Sequence, residues 1–167
     1  MHKKNLIPHN YYYNITDNIY YKCHQNCYNC TEGYNSGIDN MNCISCKNDT
    51  YRIYNDEKKN CYNRTSLNER FYFKENMFYP CYEKCLTCSE GKNETSDNCL
   101  SCDNNNDLYL LEDLNNCENK NHSGYYLDNV HNILKRCYLT CKTCNGQFEK
   151  NAENIENHNC IECADNY

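Results

Sequence analysis

Apolar and aromatic positions in this chain come in runs of three to five, bounded by clusters of Asn, Asp and Gly. Tyr11 to Ile15 followed by Ile19 to Lys22, and Tyr125 to Leu127 followed by Ile133 to Arg136, each read as two strands joined by a polar turn. Tyr51 to Tyr54 and Leu108 to Leu111 also run into polar turns and read as the first strands of two further hairpins. Helical periodicity is weak throughout. The pattern predicts short two-stranded ribbons and loops, with no large hydrophobic core.

Composition shows what must replace that core. Leu, Ile, Val and Phe number 25 of 167 residues, and Trp is absent. Below roughly 20% of such residues a chain stays disordered unless something compensates. Here the compensation is 17 cysteines, the density of a disulfide scaffold. Tyrosine, with 18 residues, is suited to cover disulfides while keeping a hydroxyl in water. Asn abounds in every segment and is given no functional weight. The net charge of −6, without a basic stripe, argues against nucleic acid and against an anionic membrane surface. No transmembrane run is visible, and Met1 to Ile7 lacks the apolar stretch of an export signal. An oxidised fold without that signal implies a piece of a longer protein.

The cysteines fall at 23, 27, 30, 43, 46, 61, then 81, 85, 88, 99, 102, 117, then 137, 141, 144, 160, 163. The two offsets, 58 and 56 residues, mark a tandem repeat. Each full unit reads C-x3-C-x2-C, a variable loop, C-x2-C, then fourteen residues and a sixth cysteine. That cysteine follows the runs 51–54 and 108–111, so a fifth-to-sixth bridge would close those hairpins. The same spacing counted from Cys163 places a sixth partner near position 178, past residue 167. Cys163 is therefore expected to be unpaired by truncation. The organisation expected is 1–22 as the end of an inter-unit hairpin, 23–80 as unit one, 81–136 as unit two and 137–167 as a truncated unit three. The fold class expected is small and disulfide-rich, an elongated tandem array of short β-hairpin modules with little helix.

From Cys23 to Cys163 this spacing resembles the furin-like, growth-factor-receptor-type cysteine-rich repeat, which also occurs in tandem on protozoan cysteine-rich surface proteins. The sequence departs from the receptor modules in two places. Thr31 to Asn42 lacks their Pro, and nineteen residues separate Cys61 from Cys81. Six cysteines alone allow fifteen pairings. The resemblance implies one: first with third, second with fourth, fifth with sixth. It joins Cys23 to Cys30, Cys27 to Cys43 and Cys46 to Cys61. It likewise joins Cys81 to Cys88, Cys85 to Cys99, Cys102 to Cys117, Cys137 to Cys144 and Cys141 to Cys160. It brings no ligand, catalytic domain or cofactor with it.

Rival chemistry is weighed on the same residues. Cys27, Cys30, Cys43 and Cys46 have a spacing close to that of a four-thiolate zinc site, repeated in the other units. That alternative, an intracellular zinc module docking protein or nucleic acid, leaves Cys23 and Cys61 without a role. A thioredoxin-like dithiol needs a βαβ setting that none of the C-x2-C pairs has. Asp103, Asn105, Asp107 and Glu112 resemble the start of a calcium loop, but Leu108 stands where the turn needs Gly. The histidines at 2, 9, 24, 122, 131 and 158 share no metal-ligand spacing. No catalytic residue and no metal site is assigned. Candidate glycosylation sequons begin at Asn14, Asn48, Asn63, Asn93 and Asn121; a sixth, at Asn29, is wedged between two cysteines and is the poorest acceptor.

Function is therefore expected in an extracellular or cell-surface setting. The chain would act as a spacer or a binding module for a protein or glycan ligand, reaching a membrane only through an anchor outside it. The freedom lies in the loops between third and fourth cysteines, 31–42, 89–98 and 145–159, and in the exposed tyrosines near 11–13, 20–21 and 125–126.

Overall fold

In the computed structural model, which describes residues 7–150, 152–153 and 155–165, the tyrosine run near the start forms β1 (Tyr11–Asn14). It pairs antiparallel with β2 (Ile19–Lys22) in full register from Tyr11↔Lys22 to Asn14↔Ile19. Residues 1–6, 151, 154, 166 and 167 lie outside the described residues; they include His2 and parts of the expected first segment, the third loop and unit three. The chain divides into two compact units, residues 1–80 and 81–167.

In the first unit both C-x2-C segments are themselves strands, which the apolar pattern did not show. β3 (Cys27–Cys30) pairs with β4 (Cys43–Cys46) through Cys27↔Cys46, Asn29↔Ser45 and Cys30↔Cys43, with a bulge that breaks strict alternation. Cysteines three apart belong on opposite faces of a regular strand. The bulge lets Cys27 and Cys30 both be buried.

β5 (Thr50–Ile53) pairs with β6 (Tyr62–Asn63), the expected hairpin. β7 (Phe71–Lys74) and β8 (Met77–Pro80) form another, turned by Glu75 and Asn76, both at positive φ as a two-residue type I′ loop requires. β8 then lies parallel to β5, joining two hairpins into a four-stranded sheet of order β6-β5-β8-β7. A parallel contact between two separate hairpins leaves no local sequence signal. Phe78 is buried at this seam, with Tyr51 and Phe73 packed edge-on against it and each other at centroid separations of 4.6 to 6.4 Å. Burying such a ring contributes roughly 1.5–3 kcal/mol.

The second unit repeats the plan. β9 (Cys85–Cys88) and β10 (Cys99–Cys102) form a bulged ribbon. A single 3₁₀ turn at Asn104–Asn106 leads into β11 (Leu108–Leu111), which pairs with β12 (Cys117–Asn119). β13 (Tyr125–Asp128) and β14 (Ile133–Arg136) form a hairpin whose β14 lies parallel to β11, giving the order β12-β11-β14-β13. Leu111 and Leu134 meet at that seam and are both buried. The last ribbon pairs β15 (Cys141–Cys144) with β18 (Cys160–Cys163), and the loop between carries a small hairpin of β16 (Glu149–Lys150) and β17 (Glu156–Asn157).

Eight disulfides, short hairpins and no α-helix among the described residues make this a small disulfide-rich fold of tandem modules. No helix of the described residues is long and apolar enough to cross a membrane. The core of the first unit is a knot of Cys27, Cys30, Met41, Cys43 and Cys61, with Tyr12 and Tyr62 packed on it.

Asparagine does structural work that its sheer abundance concealed. Among the described residues, fourteen non-Gly residues have positive φ, and nine are Asn: 10, 18, 42, 55, 76, 98, 115, 132 and 159. With 5 glycines in the whole chain, Asn supplies the left-handed turns, at lower steric cost than other side-chain-bearing residues.

Candidate functional site

The ribbons bring cysteines together in a fixed order. In the first unit Cys23 bonds to Cys30, Cys27 to Cys43 and Cys46 to Cys61. In the second, Cys81 bonds to Cys88, Cys85 to Cys99 and Cys102 to Cys117, and further on Cys137 to Cys144 and Cys141 to Cys160. Cys163 is free and exposed. The fourth cysteine is fully buried at Cys43 and Cys99, whose amides donate to the carbonyls of Lys59 and Asn115 on the segment leading to the sixth cysteine. Cys160 is exposed.

Within this frame the three variable loops are closed by one device. The residue before the fourth cysteine is a left-handed Asn in every copy: Asn42, Asn98 and Asn159. Its carbonyl accepts from the amide of Thr31, Ser89 or Asn145, directly after the third cysteine. Its side-chain Nδ2 donates to the carbonyl of Gly33, Gly91 or Gln147, at 2.8, 2.7 and 2.6 Å. A second clamp reaches in from before the sixth cysteine. Asn60, buried, accepts the Met41 amide on Oδ1 at 2.6 Å and donates from Nδ2 to the Asp39 carbonyl at 2.7 Å and to the Tyr62 hydroxyl at 3.0 Å. Its counterpart Asn116 accepts the amide of Asp97 at 2.7 Å.

The loops then fold over one position, the residue after the first cysteine, and meet it with the fourth residue after the third. In the first copy His24 leans on Tyr34, centroids 5.2 Å apart. In the next Lys92 lies 3.9 Å above the Tyr82 ring and 2.7 Å from buried Asp97, whose carboxylate holds the Lys92 ammonium above its usual range. In the third Tyr138 stacks on Phe148 at 5.0 Å and on His158 at 4.0 Å. Burial lowers the pKa of His24. One geometry thus presents an aromatic pair, a cation on an aromatic ring, and an aromatic triplet. Sequence reasoning missed these contacts because the partners are ten residues apart; the signal available was their constant offset from the cysteines.

A second recurrent feature is the apolar residue directly after the fourth cysteine. Ile44, Leu100 and Ile161 are 57%, 60% and 66% exposed, although each is flanked by a half-cystine.

The remaining candidates are placed as follows. Asn48, Asn63, Asn93 and Asn121 are exposed, whereas Asn14 and Asn29 are partly buried, Asn29 within β3. Asp103 is buried beside the 3₁₀ turn and accepts from the Asn106 side chain at 2.9 Å. Of the histidines, His131 binds Asp128 at 2.8 Å, and His9 and His122 pack on Tyr28 and Tyr125. Among the described residues no three His, Cys, Asp or Glu side chains are grouped to hold a metal ion.

No family model matches the chain, and no solved structure matches it. Among curated proteins it is similar to proprotein convertase subtilisin/kexin type 5 of Rattus norvegicus, with 28% identity over 157 residues covering 92% of this chain and 7% of the relative. It is also similar to cysteine repeat modular protein 2 of Tetrahymena thermophila, with 29% identity over 171 residues covering 96% of this chain and 8% of the relative. The chain therefore spans less than a tenth of the length of these relatives. The convertase match falls in its cysteine-rich repeat region, outside the protease domain. Both the likeness and the disulfide-rich structure are consistent with furin-like cysteine-rich repeats.

Proposed function

We propose that the chain is an extracellular segment of a surface or secreted protein, a disulfide-built spacer that displays variable loops to a protein or glycan ligand. The observation that carries this reading is the clamp of Asn42, Asn98 and Asn159: it holds three loops of different length and chemistry on one frame, each side-chain amide taking a backbone carbonyl as its partner. A scaffold with conserved closure and free loop content suits presentation. The β14–β11 pairing supports the spacer role, since it ties consecutive cysteine modules together by sheet hydrogen bonds as well as by chain. No reaction is assigned to the chain.

The same frame supports an oxidising compartment, because disulfides form and persist where thiols are not kept reduced. Proteolytic mapping without reduction of exported protein tests the reading. It should recover peptides joined in the first-third, second-fourth and fifth-sixth order. Free thiols holding zinc in protein that stays inside the cell would overturn it in favour of the zinc module.

A further inference from the structure

Between β1 and the first display loop lies an open cleft of about 710 Å³, within the range of about 300–1,000 Å³ of small-ligand sites. Tyr12 and Tyr34 line it, and each ring is held by contacts within the chain. Side chains alternate along β1, so Tyr12 shares its face with Asn14; its ring stacks on Tyr21, centroids 5.8 Å apart, and meets the loop at Gly33. The Tyr34 hydroxyl donates to Asp39 Oδ1 at 3.0 Å, its ring leans on His24, and the reciprocal backbone bonds of Asn35 with Asn40 hold the loop beneath it. Yet Tyr34 is still 47% exposed. A tyrosine held in this way offers stacking area at little ordering cost.

The polar lining has a matching character. Ser36, Glu32 and Asn42 Oδ1 are not engaged in hydrogen bonds among the described residues, so the cleft offers both donor and acceptor groups. Asn14 also lines it and begins the sequon Asn14-Ile15-Thr16. Its Oδ1 accepts the Thr16 amide at 2.9 Å, which leaves Nδ2, the atom a glycan attaches to, unbonded among the described residues. Of the six sequons, Asn14 alone lines this cleft.

We propose that Asn14 carries an N-linked glycan and that the cleft seats the first sugar of that glycan, with Tyr12 and Tyr34 as its apolar walls. The attachment forms a bond from Asn14 Nδ2 to sugar C1 and breaks the bond from C1 to the phosphate oxygen of a polyisoprenyl-diphosphate oligosaccharide. The diphosphate lipid leaves, and the amide gives up one proton. An N-acetylhexosamine has an apolar ring face for a tyrosine and hydroxyls that both donate and accept for Glu32, Ser36 and Asn42. The seated glycan would pin the β1–β2 hairpin to the loop, hiding one display loop of the three. This inference rests on the extracellular reading, since the donor lipid is met only in the secretory pathway.

The test uses the full chain secreted from a glycosylating host. Glycopeptide mass analysis should find Asn14 occupied, and Thr16→Ala should abolish occupancy while leaving the disulfides intact. In protein trimmed to one N-acetylglucosamine, the acetyl methyl should show an upfield proton shift and cross-relaxation to Tyr12 and Tyr34. Tyr34→Ala should remove those signals with occupancy unchanged. Amides of β1 and β2 should exchange about two- to tenfold faster in the Thr16→Ala protein than in the glycosylated one. Exported, correctly bridged protein with a bare Asn14, or with a sugar giving unshifted and mobile signals, would overturn this inference and leave the display reading standing. Failure of export or of bridging would strike the display reading itself.

Discussion

Replacing Asn60 by alanine removes the clamp between the sixth-cysteine segment and the first loop. Three hydrogen bonds go with it, at 2.6, 2.7 and 3.0 Å, from a side chain that is 1% exposed. Their partners do not suffer equally. The Asp39 carbonyl belongs to an exposed residue and the Tyr62 hydroxyl to a half-buried one, so water can replace the lost partner at about 0.5 kcal/mol each. The Met41 amide belongs to a buried residue and is left without an acceptor, at about 1–3 kcal/mol. The sum is about 2–4 kcal/mol, confined to the first unit. Native-state hydrogen exchange on the oxidised protein reads it at the Met41 and Cys43 amides, the latter bonded to Lys59. Protection there should fall by roughly 30- to 1,000-fold, since each 1.4 kcal/mol is about a factor of ten, while amides of residues 81–165 stay unchanged. Asn116→Ala should cost its own unit less, because Asn116 is only half-buried. A change of less than about threefold at Met41, with all disulfides intact, would refute the clamp.

Two further outcomes follow from the same frame. Asn98→Gly keeps the left-handed backbone and loses only the 2.7 Å bond to Gly91, whereas Asn98→Ala loses the bond and is strained at φ 57°. The alanine variant should therefore be the less stable by roughly 1 kcal/mol in denaturant titration, and equal stabilities would sink the left-handed argument. Asp128 accepts from Lys135 first, then from His131 and the amides of Val130 and His131, and its carboxyl is held far below the usual carboxylate range. A depressed native pKa gives stability that is fully present above the unfolded value near 4 and is lost as pH falls toward the native one. The β13–β14 turn amides should lose exchange protection below about pH 4 in the wild type but not in Asp128→Asn, which is already weakened at neutral pH. Identical acid profiles would show that the turn does not depend on this charge.

What could be read from the sequence follows the range of each signal. Local signals sufficed for the hairpins at Tyr11–Lys22, Tyr51–Asn63, Leu108–Asn119 and Tyr125–Arg136, because each rests on an apolar run and an adjacent turn. The cysteine period was enough to place the chain in its fold class and resemblance. The Phe71–Pro80 hairpin was harder to see, since its turn is Glu75-Asn76 in place of the usual Asn-Gly. The bulged ribbons were hidden because Cys27 and Cys30 break the alternation that marks a strand. The parallel seams of Arg52 with Met77 and Leu110 with Ile133 were hidden because they join separate hairpins.

Asparagine was the most misleading residue, and it explains the loops best. A glycine before the fourth cysteine would supply the left-handed turn and nothing else; Asn42, Asn98 and Asn159 supply the turn and an amide that reaches three residues past the third cysteine. That amide binds a carbonyl, a group every residue carries, and its partners are Gly33, Gly91 and Gln147. That bond places no demand on the side chains between; only the residue two before each clamp Asn is asked for a side-chain acceptor, met by Asn40, Ser96 and Asn157. The loops can differ in length by several residues and can place Tyr34, Lys92 or Phe148 on the same platform without altering what holds them shut. A frame closed by side chain on side chain would have tied loop content to loop stability. Here most loop positions are free of that tie, which is the physical condition for one repeat to present different surfaces.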